Sequence, residues 1–178
     1  YGTKSTSKTG YEIKTVAKDH NVYDLVINQW RDKVTELVNS EKYLIESSVG
    51  IGNLSAAPWL AIMDKSITES AREGFYIVFL FSRSAKKLYL ALSLGATQFE
   101  IIHGRNNECL DKIKLAANDF SNLFKDYLPS NLNDQINLVE DEETFEQKLI
   151  GSSRFLVSAY EAGTFLSKQY DPMNINSN

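Results

Sequence analysis

Residues 75–81 read Phe-Tyr-Ile-Val-Phe-Leu-Phe, so every position is aromatic, β-branched or leucine. Such a run favours a β-strand whose two faces are both covered by other parts of the fold. A second apolar run, Leu88–Leu92, follows after the short polar segment 82–87, so the two runs are predicted to form an antiparallel hairpin. This hairpin is the centre of the predicted sheet.

Two short strands are predicted upstream of the hairpin, at 43–49 and 57–63. Between them lies Gly50-Ile51-Gly52-Asn53, which we call the glycine loop; its glycines permit the positive backbone dihedrals of a tight turn. Ile51 would either project from the tip of this loop or fold back onto the core. Pro58-Trp59 begins the second strand, and the indole would lie either in the core or at the floor of a pocket.

Helices are predicted over 21–41 and 106–128, where apolar side chains recur every three or four residues. The segment 154–170 is also rich in apolar residues but has no clean period, so helix and strand both remain open there. The fold class is therefore α+β, with amphipathic helices flanking a mixed, mainly antiparallel β-sheet built between residues 43 and 93. A length of 178 residues fits a single domain.

Three regions are predicted along the chain: a mobile basic arm at 1–19, the folded domain at 20–171 and the start of a linker at 172–178. The first residue is Tyr1 instead of methionine, and we expect the chain to be part of a longer protein.

The composition limits the chemistry that the chain can carry. A single cysteine, Cys109, excludes an internal disulfide, and with only two histidines no metal site and no cofactor are predicted. Cys109 and His103 have no third group to orient them, so we expect a buried thiol and a surface imidazole. No apolar run is long enough to cross a membrane, and no membrane partner is predicted.

Three other patterns were weighed as catalytic motifs. Gly2-Thr3-Lys4-Ser5 matches only the end of a phosphate-binding loop, and Glu146-Gln147-Lys148 lies in a polar segment with no convincing strand. Asp64 and Glu69 have no neighbours in sequence that would raise a pKa. We therefore predict no catalytic residues and expect a binding domain instead of an enzyme.

The formal net charge of -4 is unevenly distributed. Residues 134–146 hold six carboxylates and no lysine or arginine, and we call them the acidic block. The rest of the chain is net positive, which is compatible with binding to phosphates through a local patch. The predicted phosphate contacts are basic side chains near the candidate loops: Lys65, Arg72, Arg83, Lys86 and Lys87.

Several of these stretches resemble the N-terminal domain of McrB-type modification-dependent restriction proteins. The resemblance runs from Gly50-Ile51-Gly52-Asn53 through Pro58-Trp59, then over 75–81 and Leu88–Leu92. Tyr160-Glu161-Ala162-Gly163 and the run 167–171 are similar to broader members of the family. The resemblance implies recognition of double-stranded DNA that carries a modified base, within a cytoplasmic bacterial or archaeal defence system.

In the McrB branch of that family, the domain flips a methylated or hydroxymethylated cytosine out of the duplex into a pocket. The resemblance implies that Trp59 stacks on this base and that Tyr76 and Leu80 line the pocket. Ile51 would enter the vacated stack, where the McrB branch has an aromatic residue. Together with Gly50, Gly52 and Asn53, Ile51 would form the wedge that the loop inserts into the DNA.

The resemblance also implies a GTPase or ATPase motor on the same protein and a McrC-like nuclease subunit as partner. Two other functions stay open. The domain could bind duplex or single-stranded DNA without base flipping, with Trp59 in the core. It could instead be a protein-interaction or assembly domain that uses the acidic block as its contact.

Overall fold

A computed structural model describes residues 21–50, 55–127, 132–133, 135–139 and 151–172. Its centre is a five-stranded sheet in which each strand pairs antiparallel with the next along the chain. The strands are β1 (Tyr43–Ser48), β2 (Trp59–Asp64), β3 (Phe75–Phe81), β4 (Leu88–Leu94) and β5 (Thr164–Tyr170). The basic arm and the carboxylates of the acidic block lie outside the described residues.

Helices pack on both faces of this sheet, so the predicted α+β fold class is confirmed. The first helix has α-helical ends and a π-helical middle. The helical segments are α1 (Asn21–Asp24), a π-helical stretch (Leu25–Trp30), α2 (Arg31–Leu37), α3 (Thr97–His103), α4 (Asn107–Phe124) and α5 (Gly151–Gly163).

The back face of the sheet is covered by aromatic packing. Trp30 of the π-helical stretch lies with its ring centroid 5.5 Å from Phe79 and 5.2 Å from Phe81. At the other end of this face, Phe120 of α4 packs 5.2 Å from Phe75. On this face the ring of Phe81 is buried and those of Phe75 and Phe79 are half-buried, whereas Ile77 is 40% exposed, so the back face of β3 is covered only in part.

The front face carries the other half of each strand's side chains. Val78 and Ala91 are buried there together with Leu138, from the segment 135–139, and Val157, from α5. The segment 135–139 crosses this face, where the Tyr89 hydroxyl donates to the Asn137 carbonyl at 3.2 Å. The segment and α5 together close most of this face and leave one part of it open as a cavity.

The structure refines the predicted, mainly antiparallel sheet in two respects: it adds β5 from the segment 154–170, which the sequence left open, and every pairing between the described strands is antiparallel. The segment 154–170 divides at Gly163 into α5 and β5. The alternation of apolar and polar residues that marks a half-buried strand is absent from β5, because polar side chains occupy buried positions in it. Thr164 shares a 2.9 Å hydrogen bond with Ser93, and Ser167 donates to the Asn133 carbonyl at 3.2 Å.

The helix boundaries also differ from the prediction. The first helix ends at Leu37, not at 41, because the chain becomes extended at Val38 and then turns into β1. The second predicted helix, 106–128, is shorter and spans Asn107–Phe124. Helix α3 was missed because its large apolar side chains do not mark a buried face; Ile101 and Ile102 are 76% and 74% exposed.

Glu161 attaches the segment 135–139 to α5. Its Oε1 accepts a hydrogen bond of 2.8 Å from the backbone N–H of Leu138. Burial raises the pKa of Glu161 by more than this hydrogen bond lowers it. The carboxyl group is therefore an acceptor that folding partly removes from water.

Replacing Glu161 with alanine should lower the free energy of unfolding by about 1–3 kcal/mol, because the Leu138 amide loses its acceptor. Glu161→Gln keeps an oxygen at this position and should cost much less. Denaturant unfolding at neutral pH measures both values. Equal losses in the two variants would contradict the role given to the hydrogen bond.

The difference in stability between wild-type protein and Glu161→Gln should depend on pH. Since folding raises this pKa above its ordinary value of 4.5, protonation of Glu161 stabilises the folded state. That contribution is present below pH 4.5 and is lost as the pH rises through the raised pKa. Wild-type stability relative to Glu161→Gln should therefore decrease with rising pH across this window, and an increase would contradict the assignment.

Candidate nucleic-acid interface

A cavity of about 360 Å³ opens on the front face of the sheet. Small-molecule pockets have volumes of about 300–1,000 Å³, so this cavity is of ligand size. Its walls come from β1, β2 and β3, from the turn 70–72, from the start of α3 and from α5.

The strand register explains why the sheet leaves space at this point. Trp59 is paired with Leu80, and two residues along the strands Ala61 is paired with Val78. Side chains two apart lie on the same face, so a row of large side chains is followed by a row of small ones. The smaller row forms a lower floor, and Val78 lines the cavity there.

Aromatic side chains form much of the wall. The half-buried Trp59 indole lies near the hydroxyl of Tyr160 on α5, and this proximity lowers the pKa of Tyr160 by less than burial raises it. The Tyr76 hydroxyl donates to the Ala71 carbonyl at 2.8 Å. Burial raises the pKa of Tyr160 to about 12 and raises that of Tyr76 as well, so both phenols are neutral at physiological pH.

The structure brings together the three residues expected to form the base pocket. Trp59, Tyr76 and Leu80 all line the cavity. Leu80 is 2% exposed and Tyr76 is 7% exposed, so these two form a buried wall, while Trp59 retains partial exposure. Their contact with a base stays a prediction.

The glycine loop begins beside this cavity. Ser48, at the end of β1, lines the cavity, and Gly50 has a φ of 106°, a value that favours glycine. The backbone N–H of Ser55 donates to the Val49 carbonyl at 2.7 Å, which closes the base of the loop. Residues Ile51, Gly52 and Asn53 lie outside the described residues, so the expected wedge remains a prediction.

The five basic residues expected to contact phosphates do not form one cluster. Arg83, Lys86 and Lys87 lie in the β3–β4 turn, at the same end of the sheet as the glycine loop. Arg72 is exposed and lines the cavity. Lys65 follows β2 at the opposite end, about 20 Å away by strand length, and its Nζ donates to the Ser40 carbonyl at 2.9 Å.

The catalytic candidates that the structure describes, Asp64, Glu69, His103 and Cys109, do not line the cavity, and the motifs at 2–5 and 146–148 lie outside the described residues. Cys109 is fully buried, as expected, and His103 Nδ1 lies 3.9 Å from a carboxylate oxygen of Glu108. Asp64 accepts hydrogen bonds from Ser66, which hold the pKa of Asp64 below its usual range. In the described ranges, no group of three or more His, Cys, Asp or Glu residues is placed to hold a metal ion.

Sequence reasoning missed two polar features of the cavity. Glu46 of β1 and Glu100 of α3 both line it. The position of Glu46 follows from strand alternation, because it shares a face with Ser48 two residues later. Tyr160 belongs to a stretch that resembles the family, but no pattern in α5 indicates that its side chain lines the cavity beside Trp59.

An antiparallel sheet with an aromatic-walled cavity and a basic turn at one end defines a binding domain of the α+β class. The chain belongs to the family described as "MrcB-like, N-terminal domain", whose family model matches residues 7–178. The resemblance noted in the sequence is thereby confirmed, and the chain is a McrB-type DNA-binding domain of a restriction system. None of the curated proteins compared with the chain matches it. Among the described helices, none is long and apolar enough to cross a membrane.

Proposed function

We propose that this domain recognises a modified base, methylated or hydroxymethylated cytosine, by flipping it from duplex DNA into the front-face cavity. The observation that supports this most directly is the position of Trp59, a partly exposed indole at a cavity of about 360 Å³. A flat ring that is sealed inside a core has no such neighbouring space. The cavity therefore offers a base both a stacking surface and room.

The energetics of this step are balanced. Extruding a base costs a few kcal/mol, and stacking on an aromatic side chain returns about 1–3 kcal/mol per base. A cytosine methyl group adds about 0.8 kcal/mol of transfer energy. The fit of the base against Trp59, Tyr76 and Leu80 must therefore supply most of the discrimination between modified and plain cytosine.

In this proposal the glycine loop fills the gap that the flipped base leaves. Branched apolar side chains are used as wedges between base steps, and Ile51 at the loop tip is of this type. The hydrogen bond between Val49 and Ser55 supports the proposal, because it joins the two ends of the loop close to Ser48 at the cavity. Ile51 covers less of a neighbouring base than an aromatic ring does.

The proposed phosphate contacts are tested by the salt dependence of binding. Arg83→Gln and Lys86→Gln should weaken binding to modified and plain duplexes equally, and each should reduce the slope of log K against log salt by about one. Lys65→Gln should change the slope less, because Lys65 lies at the far end of the sheet. Lys114→Gln, on exposed α4 surface, is the matched control. An unchanged slope for Arg83→Gln would contradict the placement of DNA at the β3–β4 turn.

The proposed function is tested by a panel of duplexes with one sequence, carrying cytosine, methylcytosine, hydroxymethylcytosine or methyladenine at a single position. We expect tighter binding to one cytosine modification than to plain cytosine, with both affinities decreasing as salt increases. Equal affinity for all four would favour a DNA binder without base flipping. Absence of binding at low salt would favour an assembly domain.

Within the larger system, we propose that a GTPase or ATPase motor lies on the same protein and that a McrC-like nuclease subunit cuts the DNA in the cytoplasm. The domain itself should not cleave DNA in the presence of magnesium or manganese. Cleavage by the purified domain would contradict its assignment as a binding domain.

A further inference from the structure

We propose that Glu46 selects the flipped base by accepting a hydrogen bond from its exocyclic amine, so that the cavity takes an amino-bearing base and rejects thymine. This inference rests on the proposed function, since it names the base chemistry that the same cavity would accept. It adds a specificity residue that the resemblance to the family did not assign.

Glu46 lies on the sheet next to the indole on which the base would stack. Glu46 is paired with Ala61 on β2, and the next pair on the same face is Ser48 with Trp59. The carboxylate therefore rises from the row of small side chains, beside the row that holds the indole. Glu46 lines the cavity together with Trp59 and Val78. A base stacked on Trp59 would have its edge within reach of this side chain.

The Glu46 carboxylate is available to accept a hydrogen bond from a ligand. Of the two carboxylates that line the cavity, Glu100 is already bound by Arg105 at 2.8 Å. In the part of the chain that the structure describes, neither a hydrogen bond nor an ion pair engages the half-buried carboxylate of Glu46. A partly buried acceptor without a protein donor is stabilised when a ligand supplies one.

The neighbouring phenol hydroxyls do not take the place of the Glu46 acceptor. The Tyr76 hydroxyl already donates to the Ala71 carbonyl, and the Tyr160 hydroxyl lies near the Trp59 indole. Burial raises the pKa of Tyr76, and the nearby Tyr160 and Glu46 raise that pKa further, so Tyr76 stays neutral. A neutral phenol accepts a hydrogen bond less strongly than a carboxylate does, which leaves Glu46 as the stronger acceptor at this side of the cavity.

The chemistry of the bases then decides which ligand fits. Cytosine presents an N4 amine, a donor that glutamate accepts from, whereas thymine presents the O4 acceptor at the same place. A carboxylate facing O4 would bring two acceptors together and leave both unpaired. The 5-methyl group is common to methylcytosine and thymine, so it cannot distinguish them.

The experiment compares two duplexes that differ only in methylcytosine or thymine at one position, both opposite guanine. Because the thymine–guanine mismatch opens more easily, a preference for methylcytosine cannot come from the ease of flipping. Wild-type protein should bind the methylcytosine duplex about tenfold more tightly or better. Glu46→Gln should bring this ratio close to one, because a carboxamide can both donate and accept.

Glu41→Gln is the matched control, since it removes the same charge just before β1 from an exposed side chain. It should leave the ratio unchanged. If Glu46→Gln does not fold, a duplex carrying 5-methylpyrimidin-2-one tests the bond from the DNA side with wild-type protein. This base lacks both the amine and the O4 acceptor, so it should bind more weakly than methylcytosine and no more weakly than thymine; binding equal to methylcytosine would overturn the role of Glu46.

The two proposals fail in different ways. If wild-type protein prefers methylcytosine to cytosine but Glu46→Gln keeps the discrimination against thymine, the inference about Glu46 is overturned and the proposed function stands. If wild-type protein binds cytosine, methylcytosine and thymine duplexes equally, the proposed function itself is overturned.

Discussion

Trp59→Ala should remove most of the preference for a modified over a plain duplex and leave weak, salt-dependent binding to both. Stacking of a base on an aromatic side chain contributes about 1–3 kcal/mol, so the preference should decrease about 5- to 150-fold. Contacts to phosphates do not depend on the flipped base and should persist. Competition between the two duplexes, measured at several salt concentrations, gives both quantities.

Trp30→Ala is the matched control for this substitution. Trp30 packs on Phe79 and Phe81 of the back face, so its loss should lower the melting temperature without changing the preference between duplexes. A melting curve of each variant shows whether the fold survives. If Trp59→Ala weakened binding to both duplexes by the same factor, Trp59 would be part of the core and the domain would bind DNA without flipping a base.

Gly95→Ala should be among the most destabilising single substitutions in the domain, with a loss of about 3 kcal/mol or more. A Cβ at this position would lie 2.3 Å from the backbone nitrogen of Glu73 and 2.6 Å from the carbonyl carbon of Arg72. Both are backbone atoms, so no side chain can rotate to relieve the contact. The turn that carries Arg72 would have to move away from β4.

This displacement would also reach the proposed site, because the turn 70–72 forms one wall of the cavity. We therefore expect Gly95→Ala to reduce the preference for a modified duplex as well as stability. Gly163→Ala is the graded control: its Cβ would meet the Leu94 carbonyl oxygen at 3.3 Å, a contact that small shifts relieve. Denaturant unfolding measures both variants, and equal stabilities would contradict the close approach at Gly95.

The sequence predicted the sheet where side-chain pattern and burial agree. The run 75–81 and its hairpin partner are apolar enough to mark strands in any context, and the structure places them as β3 and β4. β5 was missed because Thr164 and Ser167 are polar yet buried, through hydrogen bonds to residues distant in sequence. A local pattern holds no information about such partners.

Only the part of the candidate site that lies on the predicted strands could be anticipated from the sequence. Trp59, Tyr76 and Leu80 follow from the resemblance to the family, and strand register brings Trp59 opposite Leu80. Glu46 and Tyr160 were missed because their importance depends on which elements close over the sheet. The cavity wall that includes Tyr160 is set by the packing of α5, which the sequence left undetermined.

A crystal structure of the domain bound to a duplex with a single methylcytosine tests the central claim most directly. We expect this base to lie outside the helix, in the front-face cavity and in contact with the Trp59 indole, with the Glu46 carboxylate at hydrogen-bond distance from N4. A methylcytosine that remains stacked and paired within the bound duplex, with the cavity free of any base, would contradict it.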